Sequence, residues 1–464
     1  MRGILRCLAG PIVRGVPGRG DPGPVRRAVS ASLAQAMVGA IYAASTGGMF
    51  LIGYALRLGA TDAQIGLLST VPMLCIGVQL VTAALVERGW SRRRLTFVFS
   101  LLNVSGWGLI ILIPYAAGGK GPDVQVSLLI GVITLVTLFG YAGGNARGSW
   151  VGDLIPARFR GTFFGRLALY GGLIAALFAI GEGGVLDVLK HHGLGAFSAL
   201  FGFGMLFGLI NACLFLRQDD VPLVRHEAGT DLWRMVRETF ANRSLMVVGV
   251  FAVVWSMQLI AGPFYATYQL GDLHMPFVGI GIVNAFVMVA FLASGPFWGR
   301  AVGRWGCRPV LTFCAGVLGP LQLVWLWVDS PMRVYTVIAT ANPVAGFVLS
   351  GVNVAMNTLV YKVTPAAGRS VQFAVYSIVV VLLAAPMPAV GGRLPGWLHA
   401  AGLPHDLRFT FYTAGLLLVI AAIVSRRIRE PDSRRARDMV RALGNQWLLP
   451  LRRWRPWEFL FPDA

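Results

Sequence analysis

The chain has 464 residues, of which 56% are hydrophobic and only 13% are charged, and it carries a net charge of +20. Water-soluble domains carry about 25% charged residues, so this composition excludes an ordinary soluble protein and indicates a membrane protein. The positive charge alone would suit a nucleic-acid-binding protein. We exclude that class because no basic patch is interleaved with base-stacking aromatic residues on a soluble module.

Twelve apolar segments are predicted to cross a membrane. About 20 residues in a helix span a hydrocarbon core of about 30 Å, and lipid cannot satisfy the open edge of a sheet, so each segment must be helical. The predicted spans are residues 32–56, 64–86, 95–116, 125–146, 162–186, 196–216, 244–270, 277–299, 309–328, 332–360, 369–391 and 407–425. The predicted fold class is therefore an all-α membrane protein with twelve transmembrane helices.

The spans are predicted to form two halves flanked by basic ends. Residues 31–216 form the first six-helix half, residues 217–243 a cytoplasmic linker, and residues 244–427 the second six-helix half. Residues 1–30 are predicted to be a disordered basic arm. Residues 428–464 are predicted to be a basic cytoplasmic tail. Its Trp and Arg residues suit contact with an anionic headgroup layer, and a solvated tail without function is an equal alternative.

Basic residues are distributed unevenly between the two sets of loops. Six of the 40 Lys and Arg residues fall in loops after odd-numbered spans, namely Arg57, Lys120, Lys190, Arg333, Arg393 and Arg408. All the others lie on the side that holds both termini. Cytoplasmic loops carry an excess of Lys and Arg, so this bias predicts that both termini are cytoplasmic. The expected location is the cell (inner or plasma) membrane, as a multi-pass protein.

One segment of the chain is written twice. Residues 145–166 recur as residues 354–375, 209 positions further on. The matching pairs include Pro156 with Pro365, Arg160 with Arg369, and Phe164 with Phe373. A duplicated half in a membrane protein predicts two packed bundles related by a parallel pseudo-twofold repeat, with a site between them, as in many secondary transporters.

Two cytoplasmic loops carry related motifs, ERGWSRRR at residues 87–94 and GRAVGRWGCRP at residues 299–309. Together with the twelve spans they resemble the major facilitator superfamily, whose signature at this place is G-x-x-x-D-R-x-G-R-R. The second copy keeps Gly299, Arg304, Gly306 and Arg308, and the first keeps Arg88 and Arg92 with Glu87 at the acidic position. The resemblance covers about residues 30–430. It implies secondary active or facilitative transport of a small solute by alternating access.

The same resemblance implies a gating role for charged residues in these loops, where Arg can pair with acids and with helix C-termini. Asp153 in the repeated segment is matched by Lys362, and the two could meet as an acid–base contact. The candidate gating residues are Glu87, Arg88, Asp153, Arg160, Gly299, Arg304, Arg308, Lys362 and Arg369. The alternatives are that the Arg residues only anchor the topology and that the repeated segments are solvated turns.

Polar residues inside the apolar spans predict a cavity, because an unpaired amide in hydrocarbon costs a few kcal/mol. The resemblance implies that the first, fourth, seventh and tenth spans line it. The candidates are Gln35, Tyr42, Thr46, Tyr141, Asn145, Gln258, Tyr265, Asn353 and Asn357. In the tenth span Asn353 and Asn357 share one helical face with Asn342, Gly346 and Ser350. Any single candidate could instead bond a neighbouring helix.

The positions of the acidic residues indicate neither an enzyme nor a proton relay buried in the membrane. None is placed at mid-membrane, and Glu182, near the outer end of the fifth span, comes closest, so the cavity is expected to be neutral. No metal-ligand cluster, nucleophile elbow or phosphate-binding glycine loop is present, so no enzyme, metal or cofactor is predicted. The expected partners are a small-molecule substrate and the lipid bilayer, and no nucleic acid is expected. The protein is expected to be a monomer. A non-transporting receptor or scaffold on the same fold is the alternative.

Overall fold

The computed structural model describes residues 23–154, 160–216, 237, 239–364, 369–428 and 430. In these residues the secondary structure is entirely helical, and twelve helical spans are long and apolar enough to cross a membrane. They are α1 Ala31–Arg57, α2 Asp62–Val86, α3 Arg92–Ala116, α4 Pro122–Gly148, α5 Gly165–His192, α6 Leu194–Phe215, α7 Arg243–Asp272, α8 Phe277–Trp305, α9 Cys307–Trp327, α10 Pro331–Val363, α11 Gln372–Ala400 and α12 Arg408–Ser425. The predicted twelve-helix fold class is confirmed.

Several spans consist of more than one helical segment. Seven contain a break or a change of helix type: α1 has Gly23–Thr46 and Gly48–Arg57; α2 has Asp62–Leu74, Cys75–Gly77 and Val78–Glu87; α5 has Arg160–Val188 and Leu189–His192; α7 has Arg243–Ser256, Met257–Ile260, Phe264–Thr267 and Tyr268–Asp272; α9 has Cys307–Leu321 and Gln322–Trp327; α10 has Pro331–Arg333, Val334–Ile338 and Ala339–Val363; α11 has Arg369–Ala384 and Met387–Ala400. The long helices of α4 and α5 run Pro122–Leu154 and Arg160–Val188, the latter followed by a short turn Leu189–His192.

Polar side chains define where three of these helices begin. Thr61 and Gln64 form a reciprocal capping box at the start of α2, and the side chain of Ser91 accepts a hydrogen bond from the backbone at the start of α3. Asn242 accepts from the Leu245 N–H at 3.1 Å at the start of α7. Each cap satisfies a backbone donor that has no partner within its own helix, and a cap of this kind typically stabilises a helix by about 1 kcal/mol.

The described chain divides into two compact units. Unit 1 comprises Met1–Ala228 and Pro263–Ile282, and unit 2 comprises Gly229–Gly262 and Val283–Ala464. The division therefore cuts across α7 and α8. The end of α7 and the beginning of α8 pack with the N-terminal helices, although the rest of both helices belongs to unit 2.

Aromatic residues fill the core of unit 1. The Tyr54 ring lies 5.2 Å from the Phe201 ring, which in turn lies 5.1 Å from Trp107. The Tyr54 hydroxyl donates to the Ile110 carbonyl at 3.0 Å, so this buried polar group is satisfied. A Cβ built on Gly204 would lie 2.7 Å from that of Ser45 and would collide with α1. Glycine therefore allows α6 to approach α1 closely, as small residues do between membrane helices.

Unit 2 has its own core around Trp298. The Trp298 indole N–H donates to the Phe347 carbonyl at 2.7 Å and the two rings lie 4.9 Å apart, which joins α8 to α10. A Cβ at Gly351 would lie 2.6 Å from the Cys314 sulfur and 2.8 Å from the indole, so this position of α10 requires glycine. Each unit thus packs around its own buried residues.

Candidate solute-binding site

A cavity of about 550 Å³ lies inside unit 1. It is lined by residues of α1, α4, α5 and α6. The residues with most bearing on its chemistry are Gln35, Gly39, Tyr42, Arg147, Gly171 and Asn211. Cavities that hold small organic molecules have volumes of roughly 300–1,000 Å³, so this one is large enough for a metabolite-sized solute.

Small residues on two helices create the space. Ala36 and Gly39 face it from α1, and Ala168, Gly171 and Gly172 face it from α5. A Cβ built on Gly39 would lie 3.4 Å from the Asn211 amide nitrogen, an ordinary van der Waals contact. A single Cβ therefore fits without strain, whereas a larger side chain at Gly39 would extend into the cavity.

Hydrogen bonds orient part of the polar lining. The Tyr42 hydroxyl donates to the Asn103 amide oxygen at 2.8 Å, and the Asn103 amide donates to the Val136 carbonyl at 2.6 Å. With its proton committed to Asn103, the Tyr42 hydroxyl has no donor left for a ligand. The amide oxygen of Asn211 is buried and accepts no hydrogen bond from any residue that the structure describes. The Asn211 oxygen therefore suits a solute that carries a hydrogen-bond donor.

Arg147 places a positive charge in this lining, whereas the sequence predicted a neutral solute cavity. Its guanidinium carbon lies 5.4 Å from the centroid of the Phe215 ring, a cation–π distance. Arg147 was not among the predicted cavity residues for two reasons. It lies at the end of an apolar span, where Arg is read as a topology anchor, and it falls outside the polar face that Tyr141 and Asn145 share on α4.

The predicted candidates in the first half occupy different environments. Gln35 and Tyr42 line the cavity. Thr46 is buried, and its hydroxyl donates to the Tyr42 carbonyl within α1 at 2.6 Å. The Asn145 amide donates to a backbone carbonyl of α2 at 2.8 Å, and Tyr141 is half-buried on α4. In this structure Asn145 bonds to a neighbouring helix, the alternative that the sequence left open, whereas Thr46 bonds within its own helix.

The candidates in the second half lie on α7 and α10. Gln258 and Tyr265 are half-buried, whereas Asn353 and Asn357 are exposed. The Asn357 amide donates to the Asn353 carbonyl at 2.9 Å and to its side-chain oxygen at 3.2 Å, so the two act as a linked pair on one face. Their contact with a solute stays a prediction.

The rest of the polar stripe on α10 is used for packing. The Asn342 amide donates to the Val283 carbonyl of α8 at 2.8 Å, and Ser350 is buried. Gly346 lies so close to the Val287 backbone that a Cβ there would clash. The first part of the stripe thus joins α10 to α8 in unit 2, whereas Asn353 and Asn357 remain exposed.

One acidic side chain lies deeper in the membrane-spanning region than the sequence predicted. Glu182 on α5 is only 8% exposed, and the Ser45 hydroxyl of α1 donates to one of its oxygens at 2.5 Å. Its other oxygen is buried and has no hydrogen-bond partner in the described part of the chain. The fifth span was predicted to end at residue 186, which placed Glu182 near its outer end, but the helix continues to Val188 and buries this carboxyl.

The end of α5 also holds the beginning of α8. The Asp187 carboxylate accepts the backbone N–H groups of Phe277 and Val278, both at 2.9 Å. A negative charge at a helix N-terminus is favourable because unpaired N–H groups and the helix dipole point toward it. A Cβ at Gly183 would lie 2.9 Å from the backbone of Phe277 and Val278, so glycine permits this close approach. We call these four residues the α5–α8 clasp.

Comparison with known proteins identifies the family. A model described as the Major Facilitator Superfamily matches residues 31–385 and 246–464 of the chain. The chain belongs to the Major Facilitator Superfamily. It is therefore a multi-pass membrane protein and a transmembrane transporter of a small-molecule solute, and the non-transporting alternative is not favoured.

Solved transporter structures share the fold of this superfamily member. A mutant of the nucleoside transporter NupG is 12% identical with a TM-score of 0.67, covering 87% of this chain and 100% of its own. A bacterial homolog of the human lysosomal transporter Spinster, inward-facing and occupied, is 14% identical with a TM-score of 0.66, covering 89% and 99%. A POT family transporter in complex with 5-aminolevulinic acid is 15% identical with a TM-score of 0.60, covering 90% and 100%. No curated protein matches the sequence.

The superfamily signature loop of unit 2 gathers around an acid that the sequence analysis missed. Glu430 accepts the backbone N–H groups of Cys307 and Arg308 at 2.8 and 3.0 Å, and the ammonium group of Lys362 at 2.8 Å. Its side chain is only 5% exposed. The signature's acidic position is Gly303 in this copy, so an acid beyond α12 lies at the start of α9. The only sign of this role in the sequence was that Glu430 is the one acid in the basic stretch RIREP.

The other gating candidates have varied surroundings. Arg88, Gly299 and Arg304 are exposed, and the Arg304 guanidinium carbon lies 5.0 Å from the Trp305 ring. Arg308 is half-buried and contributes its backbone N–H to Glu430. The side chains of Glu87, Asp153, Arg160 and Arg369 lie outside the part that the structure describes, and so does the expected contact of Asp153 with Lys362.

Ser45→Ala is expected to destabilise the folded protein by about 1–3 kcal/mol, because it would leave a buried oxygen of Glu182 without its donor. The measurement is the thermal unfolding of the purified protein in detergent. Ser198→Ala is the matched control, since that hydroxyl bonds only to a carbonyl of its own helix. Equal melting temperatures for the two variants would contradict the importance of the Ser45–Glu182 bond.

Glu430 predicts a pH dependence of stability. Burial alone would raise the pKa of this carboxyl, but the hydrogen bonds from Lys362, Arg308 and Cys307 outweigh burial and lower the pKa below its ordinary value. A lowered folded-state pKa means that the stabilisation is complete above the unfolded value of about 4.3 and is lost as the pH falls through the folded value.

Glu430→Gln is therefore expected to lower the melting temperature at neutral pH. The effect should be roughly 1 kcal/mol, because Lys362 is half exposed and solvent screens the ion pair. Melting curves of both proteins should converge as the pH is lowered below about 4. A difference between variant and wild type that stays constant over this pH range would contradict the prediction.

Proposed function

We propose that this member of the superfamily moves a small polar solute across the membrane by alternating access, with the unit 1 cavity forming part of the binding site. The observation that carries the proposal is the 550 Å³ cavity with its polar lining of Gln35, Tyr42, Arg147 and Asn211. A scaffold that bound no solute would have no need of such a cavity inside a membrane bundle. Asn353 and Asn357 are the proposed solute contacts of the second half.

The proposal includes location and orientation. The protein resides in the cell (inner or plasma) membrane with both termini in the cytoplasm, which the uneven distribution of Lys and Arg supports. It acts as a monomer, without nucleic acid and without catalysis. The transport cycle then requires only binding and movement of the two halves.

The gating proposal concerns the loops at the ends of the spans. Arg88 and Arg304 help to hold the cytoplasmic side shut in the outward-open state, together with Glu87, Asp153, Arg160, Gly299, Arg308, Lys362 and Arg369. The Glu430 contacts support an organising role for this region, since they hold Lys362 against the start of α9. Charged pairs of this kind are strong enough to bias a conformational equilibrium.

Solute flux into proteoliposomes tests the proposed function. Vesicles with reconstituted protein are incubated in a mixture of metabolites, and the contents are compared with those of empty vesicles by mass spectrometry. Uptake of at least one solute is expected for the wild type, and a loss of tenfold or more for Gly39→Leu, whose side chain fills the cavity. Gly202→Leu is the control, because a Cβ at that glycine meets no atom within 4 Å. Undiminished uptake by Gly39→Leu would contradict transport through this cavity.

A further inference from the structure

We propose that the unit 1 cavity recognises an oxyanionic group, a carboxylate or a phosphate, on a solute that also carries hydrogen-bond donors, and that Arg147 is its cationic partner. The inference rests on the proposed function and narrows it from a small polar solute to organic acids such as amino acids, hydroxy acids or phosphate esters.

Arg147 supplies the recognition chemistry. A guanidinium presents N–H donors in a fixed planar fork that matches the two oxygens of a carboxylate or phosphate. Within the described residues no carboxylate forms an ion pair with Arg147, and its contact is the face of the Phe215 ring. That contact satisfies the π-face of the guanidinium and does not use the hydrogen-bonding edge. The edge of the fork therefore suits an anion that enters the cavity.

The carboxyl group buried within α5 does not neutralise this charge. Glu182 accepts the Ser45 hydroxyl and lies 11 residues after Gly171, which faces the cavity on the same helix. At a rise of about 1.5 Å per residue, this spacing separates the two positions by roughly 16 Å along the axis. Arg147 is half-buried at the end of its span, and a buried charge is costly unless a counter-charge accompanies it, so a bound oxyanion would complete this site.

The remaining polar groups define the rest of the solute. The Asn211 amide oxygen is buried without a donor in the described part of the chain. A buried acceptor without a partner favours a ligand that supplies a donor. A solute with an ammonium or hydroxyl group beside its acid would satisfy this acceptor while Arg147 binds the acid.

Ligand-induced stabilisation of the purified full-length protein tests the inference. The probes are succinate, glutamate, inorganic phosphate and glycerol 3-phosphate, with succinamide and glycerol as neutral counterparts, all at matched ionic strength. A ligand that binds only the folded state raises the melting temperature. At least one oxyanion should raise it for the wild type, and calorimetry should show a dissociation constant at least tenfold higher for Arg147→Gln.

Two variants control for charge and folding. Arg243→Gln removes an exposed positive charge at the start of α7, outside the cavity, and should retain the wild-type shift. Arg147→Lys keeps the charge but loses the planar fork and should bind with intermediate affinity. Melting curves without ligand establish that each variant is folded, so a lost shift in a folded Arg147→Gln protein reports binding.

Four results would overturn the inference: an equal shift in Arg147→Gln, a shift only with the neutral solutes, no shift with any of the four oxyanions, or a shift only with added phosphatidylglycerol, which would identify Arg147 as a lipid-headgroup contact. These outcomes are separable from the proposed function. Flux of a neutral solute that Gly39→Leu abolishes would retain transport and reject the oxyanion. Oxyanion binding through Arg147 without any flux would retain the oxyanion site and reject transport through the cavity.

Discussion

Asp187→Ala is expected to open the α5–α8 clasp. The carboxylate accepts two backbone N–H groups at the start of α8, and hydrogen bonds to charged groups contribute about 1.5–3 kcal/mol each when partly buried. Water replaces part of this hydrogen bonding in the open form, so we expect Asp187→Ala to destabilise the closed clasp by about 2 kcal/mol. Such a change shifts the equilibrium between closed and open clasp by roughly thirtyfold.

Hydrogen exchange measures this shift directly. The amides of Phe277 and Val278 should exchange roughly thirtyfold faster in Asp187→Ala, because exchange follows the population of the open form. Asp187→Asn keeps one acceptor oxygen and should have a smaller effect. Asp329→Ala is the control, since that acid pairs with Arg333 at an exposed site. Unchanged exchange of the peptide that begins at Phe277 would show that the carboxylate does not hold the clasp.

Asn353→Leu is expected to impair transport of the solute that the flux measurement identifies. An apolar side chain cannot replace the donor and acceptor of the amide, and it also removes the oxygen that accepts from Asn357. Loss of one such hydrogen bond, about 1–3 kcal/mol, would raise the apparent KM by roughly five- to a hundredfold.

The matched control for Asn353→Leu is on the same helix. Thr340 is exposed, and its hydroxyl bonds only to carbonyls of its own helix, so Thr340→Leu should leave KM within about twofold of the wild type. Initial rates over a range of solute concentrations separate KM from kcat. A normal KM for Asn353→Leu would remove Asn353 from the site, and an equal increase in both variants would indicate a general effect on α10.

The twelve-helix fold could be predicted because hydrocarbon allows few alternatives. Long apolar runs must form helices in lipid, and run length located most spans within a few residues, although α11 ends at Ala400, nine residues beyond the predicted end. The ends were less predictable, because capping and tertiary contacts decide them. At α5 the predicted span ended at residue 186, but the helix passes through Gly183 and Gly184 and continues to Val188. Position 183 requires glycine because the backbone at the start of α8 approaches it too closely for a Cβ.

The candidate site was only partly predictable. Gln35 and Tyr42 were found because a polar residue within an apolar run has to face protein or water. Arg147 was missed because the same residue type at the end of a span usually marks topology. Asn211 was missed because it lies on α6, which was not expected to line a cavity. Only the packing of α6 against α1 brings it there.

Long-range partners carried no local signal. Glu430 lies more than a hundred residues after the loop that it organises, and nothing in either segment states their pairing. The bond between Ser45 and Glu182 joins α1 to α5 in the same way. On α10 the polar spacing correctly indicated one face, but it could not show that Asn342 bonds to α8 while Asn353 is exposed.

The most direct test of alternating access is a distance across the α5–α8 clasp. Spin labels at Val188 and Ile282, both exposed and both in unit 1, report on it when the native cysteines are replaced. Pulsed electron paramagnetic resonance should give two distance populations, a short one for the closed clasp and a longer one that grows with Asp187→Ala. A single distance, unchanged by Asp187→Ala and by the transported solute, would contradict transport by opening at this place.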